Sequence, residues 1–226
     1  LRAAEPDCAK ARAAARLALA EIGAETWGGT LSIARPAAPG LGLGSSTAET
    51  LGAVRAVARA FGVRLAPERE AALCLAAEGA VDPLMWPDPV LFASRQGRVI
   101  ERLPALPPMR VVGGAAGPPC PTDPADDDFP DLSEVFAQIA AALRAGDLAG
   151  LGRAATRSAE ASQARRPNPA WAAVSALARR HGALGVAVSH SGPAIALILA
   201  PGSPADPAPE LAALGLRPIL DYRLGR

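Results

Sequence analysis

The chain has 226 residues, half of them apolar, enough for one large domain or two small ones with cores of their own. Charge is balanced, with 23 basic residues against 22 acidic, and no basic stripe with interleaved aromatics occurs, so nucleic acid is not an expected partner. No apolar run reaches the length of a membrane span, and Cys8, Cys74 and Cys120 stand far apart with no CxxC pair, so neither a membrane nor structural zinc is expected and a reducing, cytoplasmic location is.

Residues 7–22 predict an amphipathic helix, with Ala13, Leu17 and Ala20 at helical spacing and Gly23 as its stop. Its charges do not fit a secretory signal. Because Leu1 already stands in helix-like sequence, a further N-terminal piece is expected upstream. The alternation in "GTLSIA" predicts a strand over 29–34. The segment "ARPAAPGLGLGSSTAET" follows, and it opens a helix whose apolar face is Leu51, Val54, Val57, Ala58 and Phe61, with Gly62 at C′. Pro67 is placed as the first residue of the next helix, "PEREAALCLAAEG", in which Cys74 reads as core.

Strands are predicted over 89–94 and 98–103, joined by a turn around Gln96 and Gly97, and over 109–114. The stretch 117–130 is a loop by its prolines and aspartates. Asp123, Asp126, Asp127 and Asp128 lack the Gly and closing Glu of a calcium loop, so they read as a solvated acidic loop or a lid. Helices over 131–145, 147–164 and 169–181 precede strands over 184–189, 194–199 and 216–222. Strands and helices mix without a regular βαβ series, which is an α+β pattern.

The glycine segment has two readings. It is a solvated turn that caps a helix, or a cradle for an anion. A strand that runs through "PGLGLGSST" into a helix leaves the first helical N–H groups aimed at the loop. The helix dipole contributes roughly 0.3–1 kcal/mol, and each charge-assisted hydrogen bond roughly 1.5–3 kcal/mol, so several backbone donors would dominate. They need no lysine. Lys10, the sole lysine, lies far upstream and Ser45 follows Gly44, which excludes a Walker A loop. Ser45 also stands where a dinucleotide fingerprint needs its third glycine, and protein-kinase signatures are absent. A second glycine-serine turn, "VSHSGPAIAL", is either an ordinary hairpin or part of the same site. The adjacent His190 and Ser191 without a GxSxG elbow do not make a hydrolase.

Together, "PGLGLGSSTAE" and "VSHSGPAIAL" resemble the second and third motifs of the GHMP small-molecule kinases. Within that superfamily the chain is most similar to the L-threonine kinases of cobalamin biosynthesis, the propanediol-utilisation type. The resemblance extends through Ser45, Ser46, Thr47, Ala48 and Glu49, "VDPLMWPDPVLF" and "AATRSAEASQ", over roughly residues 10–200. Three departures stand out. The family's opening strands and first motif have no counterpart, Gly79, Ala80 and Val81 precede Asp82 where Glu-Pro-Ser/Thr is frequent, and Pro193 follows the wider superfamily.

The resemblance implies a ribosomal-S5-like N-terminal domain over 1–104, without its first strands, and a ferredoxin-like C-terminal domain over 105–226. It implies ATP and Mg²⁺ as cofactors and a small-molecule substrate, L-threonine or a similar amino acid or amino alcohol. A homodimer stays open. Gly40, Gly42, Gly44, Ser45, Ser46 and Thr47 would hold the nucleotide, and Ser46 or Thr47 the metal together with Glu78 or Glu70. For both glutamates the competing reading is a solvated helix face. Asp82 would be the base or orienter at the acceptor hydroxyl; its competing reading is a turn cap at Pro83. His190, Ser191 and Gly192 would touch the substrate, with Ser158, Ser162 and Gln163 as weaker contacts, while His181 sits at a helix C-terminus. Within the class a homoserine-kinase-like enzyme is the alternative, and outside it a non-catalytic nucleotide-binding protein of the same fold.

Overall fold

The computed structural model describes residues 2–3, 8–35, 38–120 and 130–225, and the chain divides into two compact units. The first takes in the described residues up to Ala38 together with Gly44–Arg102; the second combines Pro39–Leu43 with the described residues from Leu103 onward.

In the first unit three helices, α1 (Ala9–Glu21), α2 (Ser45–Ala60) and α3 (Pro67–Glu78), pack on one another. Two short sheets accompany them: β1 (Arg2–Ala3) parallel to β2 (Thr30–Leu31), and the hairpin of β3 (Val90–Ala93) with β4 (Arg98–Arg102). Among the described residues the ladder takes in Thr30 and Leu31 of the stretch 29–34, paired with Arg2 and Ala3.

The core-facing side of α1 also differs from expectation. Ala11, Ala14, Ala15, Ala18 and Leu19 are buried, whereas Ala13 and Leu17 are half-buried and Ala20 is exposed. Lys10, Arg12 and Arg16 are exposed and Ala20, four residues beyond Arg16, falls on their side, so the alanine side opposite packs closest. That side meets Leu51, Val54, Ala71, Cys74 and Trp86 in one core cluster. On α2 the predicted face is the buried one, with Phe61 at its exposed end. Pro67 opens α3, and Gly79 ends it in the left-handed conformation at φ 81°, with its N–H donating to the Leu75 carbonyl.

The second unit is built on an antiparallel sheet in the order β6-β7-β5-β8: Gly185–Val188, Ala194–Leu199, Met109–Ala115 and Leu220–Leu224. Alternation along β7 sends Ile195, Leu197 and Leu199 into one core with Val174 and Leu177 of α6 (Trp171–Arg180) and Leu211 of α7 (Ala208–Ala213). Ile198 enters another core, with Leu143 of α4 (Ser133–Ala145) and Leu151 of α5 (Leu148–Gln163). A strand apolar on both sides thus serves two cores.

One C-terminal expectation needs correcting, and one element stands where none is predicted. α7 falls in the proline-rich stretch between the last two predicted strands; Pro207 is its N-cap and the buried Leu211 anchors it. β8 begins at Leu220 and not at residue 216, since Pro218 has no N–H for a ladder and Leu216 is buried as a loop anchor. The acidic run at Asp123, Asp126, Asp127 and Asp128 lies outside the described residues. Among the described residues no helix is long and apolar enough to cross a membrane.

Candidate functional site

The N-terminus of α2 in the first unit gathers four of the sequence-selected residues. Gly44 is its N-cap, in the left-handed conformation at φ 72°, which L side chains rarely adopt. Among the described residues no side chain caps the helix, and its first turn carries no acid, so its leading N–H groups and dipole suit an anion. Hydroxyls line the first turns. Ser46 Oγ donates to Glu78 Oε2 at 2.5 Å, and Thr47 Oγ1 donates to Glu78 Oε1 at 2.9 Å. Thr50 Oγ1 lies 3.1 Å from the same Oε1 and within reach of the Ser46 and Thr47 carbonyls. It has one proton to give, and the charged oxygen is the stronger acceptor.

Glu78 stands at the last turn of α3 and is only 6% exposed. Its partners are three hydroxyls, and among the described residues none is a cation. Glu70, two turns earlier and 7% exposed, differs: Arg55 holds it with two hydrogen bonds, at 2.9 and 2.7 Å. The solvated-face reading therefore fails for both glutamates, because long-range partners bury them. Between these two, only Glu78 is left with its charge uncompensated, an arrangement that costs stability unless a cation completes it. Hydroxyl and carboxylate oxygens are the hard donors that Mg²⁺ takes, so the residues fit such an ion. No three His, Cys, Asp or Glu side chains cluster around a metal position among the described residues. Mg²⁺ sites built on one or two carboxylates plus substrate phosphates have no need of such a cluster.

Asp82 joins this group through its backbone. Its N–H donates to Thr47 Oγ1 at 3.1 Å, and its Oδ2 lies 3.5 Å from where a Cβ on Gly44 would stand. The residue is exposed, and that oxygen lies beside the start of α2. Cys74, on the buried side of α3, has its thiol pushed up to about 11 by desolvation, which keeps it protonated and inert.

The remaining selected residues lie in the second unit. Pro39–Leu43 belongs there, and its Gly42 meets the loop after β6 backbone to backbone. A Cβ on Gly42 would fall 2.4 Å from the Ser189 Cβ, and one on Gly192 would fall 2.3 Å from the Gly42 nitrogen. Gly40 accepts from the Cys120 N–H at 2.8 Å. The 189–193 loop is held by Ser189 Oγ donating to the Gly192 carbonyl, Arg166 to that of Ser191 at 3.4 Å, and Asn168 to that of Pro193 at 3.0 Å.

Gln163 accepts from the Asn168 N–H at 2.8 Å, and Ser162 donates within its own helix to the Ser158 carbonyl. His190 is exposed and Ser191 half-buried. His181 caps α6 and pairs with Glu210 at 2.6 Å. Sequence reasoning missed Thr50, Arg166 and Asn168. Thr50 had a readable signal, its i+3 spacing from Thr47.

The fold and both loops have counterparts. Residues 9–85 match the family model of the GHMP kinases N terminal domain and residues 139–211 that of the GHMP kinases C terminal domain, together well over half of the chain. Homoserine kinase from Cytophaga hutchinsonii is similar in structure, with TM-score 0.69 and 17% identity over 98% of this chain and 79% of that one. L. major mevalonate kinase in complex with R-mevalonate gives TM-score 0.65 and 16% identity over 100% and 81%. Mevalonate pyrophosphate decarboxylase from Streptococcus pyogenes gives 0.69 and 14% over 99% and 78%. At these identities the likeness speaks for the fold alone. No curated protein sequence matches. On the two family models, which span α1 through the residues around Asp82 and the helices and strands that carry the 189–193 loop, the chain belongs to the GHMP kinase superfamily.

Proposed function

We propose that the protein is an ATP-dependent kinase that phosphorylates the hydroxyl of L-threonine, or of a similar amino acid or amino alcohol, for cobalamin side-chain biosynthesis. The observation that carries the reading is Glu78, a buried carboxylate whose partners among the described residues are hydroxyls and no cation, with Ser46 against one oxygen and Asp82 tied in through Thr47. The choice of threonine rests on the motif "GSSTAE" and the order of the matching segments.

Phosphoryl transfer needs positioning and charge neutralisation more than covalent chemistry. The N–H groups of Gly42 to Ser46, with Gly40 upstream, would hold the triphosphate, and Ser46 Oγ and Glu78 Oε2 would hold the metal. With Mg²⁺ bound, charge developing on the β- and γ-phosphate oxygens is neutralised. The acceptor oxygen forms its bond to the γ-phosphorus as the bond to the β–γ bridging oxygen breaks, and ADP leaves with that electron pair. Asp82 orients the acceptor hydroxyl and takes its proton. His190, Ser191 and Gly192 contact the acceptor.

The test is ATP consumption with Mg²⁺ against L-threonine, L-serine, L-homoserine and ethanolamine. Threonine-dependent turnover that falls roughly 10²–10⁴-fold in Asp82→Asn is the expected result. Turnover only with another acceptor replaces the substrate and keeps the reaction. No turnover with any of the four, together with ATP binding that is lost in Ser46→Ala, makes the protein a nucleotide-binding module.

A further inference from the structure

The two oxygens of Glu78 have different surroundings, and that difference separates the roles of the hydroxyls beside them. Among the described residues Oε2 takes one hydroxyl, Ser46 Oγ at 2.5 Å. Oε1 takes two hydroxyls, Thr47 at 2.9 Å and Thr50 at 3.1 Å. Thr50 is fully buried and Thr47 is 3% exposed, so neither hydroxyl faces a ligand in solvent. The single proton of Thr47 goes to Glu78 and one of its two lone pairs accepts the Asp82 N–H at 3.1 Å, while burial keeps the second from a ligand in solvent.

We propose that Thr47 is a positioning residue that ties Glu78 to Asp82, holding the metal-side carboxylate and the proton-accepting residue in one register, and that it touches neither nucleotide nor metal. The assignment rests on the kinase reading above. It is carried by the continuous chain from the Asp82 N–H through the Thr47 hydroxyl to Glu78 Oε1, with Thr50 as the second anchor of that oxygen. A methyl in place of the Thr47 hydroxyl orphans the Asp82 amide and frees Glu78 to turn. Thr50 Oγ1 reaches Glu78 and the Ser46 and Thr47 carbonyls, whereas the Asp82 N–H donates to Thr47, so removal of the Thr50 hydroxyl affects one end only.

The experiment compares the full chain as wild type, Thr47→Val, Thr47→Ser and Thr50→Val. Three quantities are read: hydrogen exchange at the Asp82 amide, the Mg²⁺ dependence of ATP binding by calorimetry, and kcat against KM with the acceptor that the panel identifies. In Thr47→Val, exchange at Asp82 accelerates and kcat falls roughly 10–100-fold, the range for losing a group that orients a ligand. KM for ATP changes little, and Thr47→Ser restores both properties. Thr50→Val weakens the Mg²⁺ dependence but leaves the Asp82 amide protected. Unchanged exchange in Thr47→Val overturns the proposal, as does a loss of ATP affinity that Thr47→Ser does not restore, which would make Thr47 a direct ligand. If the wild type transfers no phosphoryl group, the kinase reading fails and the exchange and calorimetry arms still decide the role of Thr47. If Thr47→Val does not fold, Thr50→Val and Thr47→Ser decide: loss of Asp82 protection in Thr50→Val, or in Thr47→Ser, overturns the proposal.

Discussion

Ser46 Oγ donates to Glu78 Oε2 at 2.5 Å, joining the first turn of α2 to the last turn of α3 across 32 positions of sequence. Among the described residues Glu78 is buried with hydroxyls and no cation, so its charge destabilises the metal-free protein and a cation relieves it. Glu78→Gln should therefore leave metal-free thermal stability unchanged or raised. Mg²⁺ with ATP should raise the melting temperature of the wild type and not of the variant. Phosphoryl transfer should fall roughly 10²–10³-fold, the scale of one lost preorganised electrostatic contact. A melting series with and without Mg²⁺ and ATP checks the first two, and a turnover assay the third.

Gly42→Ala should disable the loop. Its φ of 82° disfavours any L side chain by roughly 1–2 kcal/mol. In addition, the new Cβ would fall 2.4 Å from the Ser189 side chain. ATP affinity should drop at least tenfold or so, since about 1.4 kcal/mol of distortion already corresponds to that factor. Calorimetric titration of the variant with ATP measures it, and Gly52→Ala, whose Cβ has open space, should behave as wild type.

The three thiols should react unequally. Cys8 is 2% exposed, Cys74 is fully buried with its thiol pushed up to about 11, and Cys120 is exposed. A maleimide at neutral pH should label one site quickly under native conditions and three in denaturant, as mass spectrometry of digested protein would report.

Acid should weaken the edge of the second sheet. Arg110 of β5 donates twice to Asp221 of β8, at 2.9 and 2.5 Å, and once to the Ala205 carbonyl at 2.7 Å. Hydrogen bonding to Arg110 lowers the Asp221 carboxyl below its ordinary value of 3.8. Its stabilising contribution is thus complete above that value and is lost as pH falls through the lower folded-state value. Because Asp221 is 41% exposed, the contribution is discounted to about 0.5–1 kcal/mol. Asp221→Asn should lower stability by that amount at pH 7, and urea titrations should show the difference shrinking as pH falls below 3.8.

Local signals made most elements legible. The apolar steps of α2, the N1 proline of α3, the alternation of β7 and the Gln96–Gly97 turn each depend on neighbours within a few residues. α1 misled because alanine stands both on its buried side, at Ala11, Ala14, Ala15 and Ala18, and beside the exposed Arg12 and Arg16, at Ala13 and Ala20. The burial of Glu70 and Glu78 could not be read, since Arg55 lies 15 positions from one and Ser46 32 from the other. Periodicity reports which way a side chain points, and not what meets it there. Motif resemblance pointed to Asp82 and left Glu78 or Glu70 open, and it could not divide the work of Ser46 and Thr47, which depends on which oxygen of Glu78 each one faces.

The glycine segment changes allegiance at one peptide bond, with Pro39–Leu43 packed in the second unit and Gly44 onward in the first. Leu41 is 7% exposed there, and Gly192 is shaped to the backbone of Leu41 and Gly42. The two units are therefore not separable by a single cut at residue 103. A polypeptide that begins at Leu103 would carry an open slot where five residues from the front of the chain belong, and supplying them in trans as a short peptide would be a form of fragment complementation.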